Sequence, residues 1–429
     1  MKKNYKVVVL FLVVIMVFTM TACQNGEKPA VPEKQEDSVK QEDSTQKTYD
    51  WPKVFIINST SSGSSAYAQC LAWATLLETD SGMSIRLMPE DSNNTKFRNV
   101  KNGDTHCMYD SITDTANMLQ ATHGFQTADG GPFPVRNLWI DNVQTALMVV
   151  RGDSDIQSID DINEKTKLAC WADPSMEGVI AATAAMVGCE VSDLNIIECS
   201  AYTDMIKMVV DGSAEVCPYI TSTSSALIEA AAGPKGIKVL DFDPNKYPEK
   251  CAAWQTVFPT HSFSQAVTGY EGAIGKYGYS PYSGLWCSAD LDTELVYNMT
   301  KYFIENEEKI VPTHSLFEFY WNLDFYKGFA DKTCIPLHEG VIKYLEEIGQ
   351  WDDKNADRQE YNVKLVDWYT DLYKEAIEAA KSKGITVGIQ GDEWTNFWEQ
   401  YKEDAKIPII KYMSDEEISQ ALALGIVNR

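Results

Sequence analysis

Residues 335–349, IPLHEGVIKYLEEIG, set a histidine beside a glutamate at the mouth of an apparent helix, which is how the helical zinc site of a metalloprotease begins. Such a helix needs a second histidine at i+4, so that both imidazoles meet the metal from one face. Position 342 is isoleucine, and His106, His123, His261 and His314 stand nowhere within ligand spacing of one another. The chain therefore offers no metal site. A nucleophile with its base is missing as well: there is no GxSxG, no Cys-His signature and no SxxK leading a helix. Carboxylates are abundant, and spacing along the chain neither selects nor rejects a paired Asp/Glu site. The motifs point away from an enzyme and away from a bound cofactor.

Two loops carry a different chemistry. NSTSSGSSAYAQ, residues 58–69, gives six serine and threonine hydroxyls, two carboxamides and a glycine where a strand passes into a helix. Hydroxyls and free N–H groups at a helix N-terminus can cradle an anion, although a plain N-cap turn would use some of the same residues. No Gly-Lys-Ser/Thr follows, so a nucleotide phosphate is not the anion. ADPSMEG, residues 172–178, stands at the equivalent place in a second unit, with Trp171 ahead of it. Asp173 and Glu177 there could pair a ligand ammonium or only complement the helix dipole.

The elements that position these loops alternate. KVFIIN reads as a first strand and SSAYAQCLAWATLLE as its helix; MSIRLMP is a strand, NNTKFRNVKNG a short helix ended by Gly103, and DSITDTANMLQATHG another ended by Gly124. NVQTALMVVRGD reads as one long strand, apolar enough to cross from one core to another. KLACWA, LNIIEC, AEVCPYI and IKVLDF continue the alternation to residue 242, with a helix of small residues closed by Gly188. After residue 292 the pattern is helical, with aromatics at three- and four-residue spacing that fit packing. This is an α/β chain of two lobes, and ligands in such folds sit at strand carboxyl ends against helix N-termini. No internal repeat of 20 to 50 residues is present.

The termini and composition add a location. Three lysines precede an apolar run from Val7 to Met20, followed by small residues and Cys23, a secretory leader too short to span a bilayer. Met20-Thr21-Ala22-Cys23 resembles a bacterial lipobox, which implies a lipid on Cys23 and anchorage to the cell membrane from outside the cytoplasm. Residues 24–50 are charged and polar and cannot fold, so they read as a tether. Losing Lys2, Lys3 and Lys6 with the leader takes the formal charge from -25 to about -28. That acidity argues against nucleic acid as a partner and fits solubility. Nine cysteines remain after Cys23, irregularly spaced and mostly inside apolar runs, which reads as few or no disulfides.

From Lys53 to Trp351 the order of several segments resembles the TAXI-type substrate-binding proteins of tripartite TRAP transporters. The segments are SSGSSAYAQ, DSNNTKF, VRGDSDIQSIDDI, ADPSMEG, VVDGSAEV, LVYNMTKYFIEN and IPLHEGVIKYLEEIG. The chain departs from that pattern where Ser65-Ala66-Tyr67 stands for adjacent tyrosines, where ADPSMEG lacks a Ser-Gly, and where Glu339 replaces a proline. The resemblance implies a two-lobed periplasmic-binding-protein-like fold (type II) with an additional, mostly helical C-terminal extension. The corresponding divisions are a signal peptide at 1–22, a lipidated tether at 23–50, lobe 1 at 51–142 plus 258–351, lobe 2 at 143–257 and the extension at 352–429. It further implies capture of a small solute, carboxylate-bearing and of the dicarboxylate or amino acid class, and delivery to the membrane permease subunits of a TRAP-type transporter. The lobes would close about hinge strands at TALMVVRG and the region of AAWQTVFPT.

Residue types place that ligand near Asn58, Ser61, Gly63, Ser64 and Tyr67 of the first lobe, with Asn93 and Asn94. Trp171, Asp173, Ser175 and Met176 would face them, and Tyr219, Trp254 or Tyr270 would cover an apolar portion. Arginine is scarce, at six residues, so no arginine fork on a carboxylate is expected; Arg136 and Arg151 are the nearest candidates. A binding lipoprotein of an ATP-driven importer, of the sulfonate, nitrate or thiamine-precursor type, shares the same architecture. A secreted hydrolase on this scaffold is the alternative of a different class, against which the missing motifs stand.

Overall fold

The computed structural model describes residues 49–428 except 61, 63, 91, 144, 173, 174 and 389–391. The leader, Cys23 and the tether as far as residue 48 lie outside the described residues. The first lobe opens with β1 (Val54–Ser59), α1 (Ser65–Ser81), β2 (Ser84–Pro89) and α2 (Asn93–Asn102). It continues through β3 (Cys107–Ser111), α3 (Ile112–Gln120) and β4 (Val135–Val143). Local chemistry sets the ends: Ser64, Ser92 and Ser111 cap the three helices by accepting from main-chain N–H groups one turn on. Gly103 ends α2 in the left-handed region, φ 77°, as its position predicts. α3 ends differently from the sequence expectation. It closes at Ala121 (φ 47°), not at Gly124, and His123 is left-handed as well (φ 50°).

The run NVQTALMVVRGD is two strands. β4 stops at Val143 in the first sheet, and β5 (Ala146–Arg151) starts the second. Both strands are almost wholly buried, so no change in hydrophobic period marks the break. The second lobe follows with β6 (Leu168–Trp171), α4 (Ser175–Val187), β7 (Ile196–Cys199), α5 (Tyr202–Asp211) and β8 (Val216–Thr221). It is completed by α6 (Ser225–Ala231), β9 (Ile237–Leu240), α7 (Pro248–Val257), β10 (Ser262–Gln265) and β11 (Tyr277–Ser280). The chain then returns through Pro281 to β12 (Tyr282–Ser288), which lies antiparallel between β3 and β4.

The sheets run β2-β1-β3-β12-β4 and β10-β11-β5-β8-β6-β7, with β9 on β5. This is the two-lobed α/β architecture expected from the alternation. The return crossing comes later than the division at residue 258 had it, because β10 and β11 belong to the second sheet and Phe258, Ala266 and Tyr279 to its core. SFSQ and YGYS are strands of only four residues, too short to announce themselves. The described crossings are therefore at 143–146 and 280–282, and AAWQTVFPT forms the end of α7 and the turn after it.

The remaining helices are α8 (Thr293–Glu305), α9 (Glu307–Ile310), α10 (Phe317–Tyr320), α11 (Leu323–Ala330) and α12 (Glu339–Glu347), then α13 (Asp353–Ser382), α14 (Asp392–Ala405) and α15 (Asp415–Ala423). α12 carries the His-Glu pair. His338 is its N-cap, and Nδ1 accepts from Gly340 N–H (3.1 Å). A side chain at Gly340 would stand 2.5 Å from the Thr293 carbonyl oxygen, so glycine allows α12 to close on α8. Trp394, Trp398, Tyr361 and Leu365 of the extension share one apolar core with the first sheet. No helix among the described residues is long and apolar enough to cross a membrane.

Candidate functional site

α2 and α3 start at the carboxyl ends of β2 and β3, and α4 starts at the carboxyl end of β6. Their first turns meet across a cavity of about 470 Å³ between the sheets. The first lobe contributes Asn93, Asn94, Ser111, Thr113, Asp114, Asn117, His123 and Phe125. The second contributes Trp171, Met176, Gly178, Tyr219, Phe258, His261 and Tyr279, with Pro281 at the crossing. Thr113 and Thr260 share a hydrogen bond of 3.0 Å that ties the lobes beside it.

Of the residues singled out from the sequence, the structure brings Asn93, Asn94, Trp171, Met176 and Tyr219 together here. Asn58 is elsewhere. It is 1% exposed, its Oδ1 accepts from Asn99 (2.9 Å) and Thr105 (3.4 Å), and its Nδ2 donates to the Met88 carbonyl (3.3 Å). It ties β1 to its neighbours through both polar atoms of its side chain and does not line the cavity. Ser64 serves as the α1 cap and Tyr67 lies in the turn it caps; neither lines the cavity. Tyr270 donates to the Ile237 carbonyl (3.0 Å) and lines a separate groove on the second lobe. Ser61, Gly63 and Asp173 lie outside the described residues, and Ser175 is the first residue of α4.

Trp254 works from behind. It is fully buried, stacks near Tyr279 (4.3 Å between ring centres) and donates through Nε1 to His261 Nδ1 (3.1 Å). That bond fixes His261 as the tautomer protonated on Nε2. Burial pulls its pKa down to about 3, so it lines the cavity as a neutral donor. Phe258 stacks on His261 at 4.2 Å, and Tyr279 anchors itself by donating to the Pro218 carbonyl (2.9 Å). Gly178 lets α4 approach this wall, since a side chain there would stand 2.5 Å from the Phe258 ring.

Asp114 is the only Asp or Glu among the described lining residues, which include no lysine and no arginine. Ser111 Oγ donates to its Oδ2 (2.7 Å). Burial first, and then the Asp110 carboxylate, push the Asp114 carboxyl up to about 7. The nearest cation, Lys96, is spoken for. Its Nζ lies 2.8 Å from Asp110 Oδ2 and donates to the Tyr109 carbonyl (3.2 Å), and the side chain is 1% exposed. Asn94 Nδ2 donates to the Gly124 carbonyl (2.9 Å), while its buried Oδ1 has no hydrogen-bond partner. Ser111 gives its proton to Asp114 and His261 Nδ1 is occupied by Trp254, so the two do not combine as nucleophile and base.

Sequence reasoning missed Asp114, Asn117, His123, Phe125, Phe258, His261 and Tyr279. Ser111 and Asp114 stand in the S-x-x-D spacing of a helix start, and Ser111 does accept from Asp114 N–H (3.0 Å). That local role hides the outward one. The turn bearing His123 is held by the extension: Trp398 Nε1 donates to the Gln120 carbonyl (2.9 Å), Trp394 Nε1 to the Gln126 carbonyl (2.9 Å), and Ile410 N–H to Gln120 Oε1 (3.1 Å). Left-handed non-glycine residues cost about 1 kcal/mol each, and these bonds fix the two in that turn.

A model of the NMT1-like family matches residues 57–349. No curated protein matches the chain by sequence. Among solved structures, a periplasmic sulfonate-binding protein, SsuA, from Methylobacillus flagellatus aligns at 12% identity over 83% of this chain and 95% of its own, with a TM-score of 0.41. The SsuA of Escherichia coli aligns at 12% over 73% and 87%, TM-score 0.36. A TctC solute-binding protein from Polaromonas aligns at 14% over 62% and 86%, TM-score 0.39. Identities and scores at this level transfer neither a ligand nor a partner.

Proposed function

The chain belongs to the NMT1-like family, and from that premise we propose that it is an extracytoplasmic solute-binding protein that captures a small molecule between its lobes and hands it to a membrane permease. The observation that carries this reading is the cavity of about 470 Å³ lined from both sheets, with the chain crossing between them at two places. A cavity built that way is filled and closed by rotating one lobe on the other about short crossings. Closure then gives the permease a surface that the empty protein lacks. The leader and Cys23 support an outward location with a lipid anchor.

The carboxylate class implied by the resemblance would meet hydroxyl, amide and imidazole donors here. A dicarboxylate would also meet Asp114 with no cation in the described lining to offset it. An amino acid brings its own ammonium and fits better. For delivery, a TRAP-type permease follows the resemblance, and an ATP-driven importer fits the NMT1-like match at least as well. A multispanning permease gene or an ATPase gene beside this one separates the two.

The test is binding with closure. The domain from residue 49 onward is screened by thermal shift against amino acids, amines, dicarboxylates and sulfonates, and hits are followed by small-angle scattering. Saturable binding with a smaller radius of gyration is expected. A panel without any shift, together with turnover of an ester or glycoside, would overturn the reading.

A further inference from the structure

We propose that the solute carries a cationic nitrogen, that Asp114 is the residue that receives it, and that Asn94 Oδ1 accepts a second of its N–H bonds. The proposal rests on the solute-binding reading above and names the substrate class of that same cavity.

The first argument is charge. The described lining holds one carboxylate and neither lysine nor arginine. Lys96, the cation behind Asp114, is paired with Asp110 and 1% exposed, and Lys402, beside the turn bearing His123, is paired with Glu399, so each has a nearer carboxylate partner than a solute's. An anionic solute would enter beside that carboxylate uncompensated. A cationic one supplies the missing charge.

The second argument is the unmet acceptor. Asn94, which lines the cavity, donates one amide hydrogen to the Gly124 carbonyl, and its buried Oδ1 has nothing donating to it. A buried acceptor without a donor is costly, and the group that would satisfy it is an N–H. Asp114 and Asn94 are contributed by the first turns of α3 and α2, so both acceptors belong to one lobe.

The third is the opposite wall. Trp171, Tyr219, Phe258 and Tyr279 bring aromatic surface to the cavity from the second lobe. Aromatic faces attract cations through the ring quadrupole, most strongly where water is excluded. Closing the lobes would bring this surface onto a nitrogen held by Asp114 and Asn94. An ammonium, amidinium or protonated heterocycle satisfies all three features; a dicarboxylate or a sulfonate satisfies none.

The groups that face Asp114 set the pH response. Asp110 raises its affinity for a proton and Lys96 lowers it, both from the first lobe, and Tyr219 faces it from the second. His261 and His123 line the same cavity, and burial holds both pKa values down. A proton on Asp114 competes with a cationic solute, so affinity for amines rises with pH through the neutral range. An anion recognised by protonated Asp114 would show the reverse slope.

The experiment compares matched probes by calorimetry on the domain from residue 49 onward: phenethylamine against phenylacetate, and cadaverine against glutarate, from pH 5.5 to 8. The amine of each pair is expected to bind at least tenfold more tightly than its acid at pH 8, to weaken by about tenfold per pH unit below 7, and to lose at least tenfold in Asp114→Asn. Asn94→Leu, checked for folding by circular dichroism, is expected to lose severalfold for amines while leaving the acids unchanged. Tighter binding of the acids, an inverted pH slope, or amine affinity that survives Asp114→Asn overturns the proposal and leaves solute binding standing. If neither class binds at millimolar concentration, the proposal falls together with the solute-binding reading.

Discussion

Replacing Lys96 by methionine tests whether the pair behind the cavity is as interdependent as the geometry requires. Lys96 is 1% exposed and Asp110 6%, and Nζ lies 2.8 Å from Oδ2. Two unit charges at that separation attract by roughly 6 kcal/mol at an effective dielectric near 20. Withdrawing both from water returns much of this, so the pair's net contribution is small. Lys96→Met removes the compensation and keeps the cost: Asp110 stays buried beside Asp114, and the Tyr109 carbonyl loses its donor. The expected loss is about 3–5 kcal/mol, the usual result of leaving one buried charge alone. Urea denaturation followed by circular dichroism at pH 7.5 measures it. In Lys96→Met/Asp110→Asn the uncompensated charge is gone while the acceptor for Ser111 N–H is kept, so at least half of the loss should return. If Lys96→Met lies within about 1 kcal/mol of the parent, or the double variant is no more stable than the single one, the pair does not work in this way.

Other outcomes follow from other parts of the fold. His338→Ala should cost about 1 kcal/mol through the lost α12 cap, and chelators should change neither its melting temperature nor the parent's. His261 is held neutral in the folded state with its pKa near 3, whereas the unfolded chain takes up that proton below about 6.5. It therefore contributes stability that is lost as pH falls from about 6.5 towards 3, at up to about 1.4 kcal/mol per unit. Asp114 and Asp141, both raised to about 7, act with the opposite sign, favouring the folded state at acid pH and losing that contribution as pH rises from about 4 to 7. His261→Gln, which can still accept from Trp254, should consequently show a smaller acid loss than the parent in denaturant melts between pH 4 and 7. Trp398→Ala should lose about 3–5 kcal/mol; because Trp398 holds the turn bearing His123 and Phe125, ligand affinity measured by calorimetry should fall at temperatures where the variant remains folded.

The sequence by itself determined what depends on neighbours along the chain. Alternating strands and helices follow from hydrophobic period, Ser92 and Gly103 bound α2 through hydrogen bonds spanning a single turn, and the His-Glu pair lost its metal reading on one missing residue at i+4. Trp171 and Met176 after β6, with Asn93 and Asn94 after β2, could be singled out from sequence because a helix N-terminus is a local feature, and they line the cavity. Ser64 and Tyr67 of the loop after β1 stand out on the same ground and do not line it. Tertiary structure alone decided the rest. Asp114 announces itself in sequence as part of a helix start, and it becomes a cavity carboxylate only because β3 ends facing the second lobe. Thr113 meets Thr260 across 147 residues of chain, and Phe258, His261 and Tyr279 join Trp171 through sheet pairings that short strands do not encode. Asn58 shows the converse. Its place in a polar loop suggested a ligand, and the packing of β1 between β2 and β3 used every polar atom of its side chain first. Spacing records what one turn or one strand can reach; which side chain faces a cavity between two sheets is settled by where those sheets come to rest.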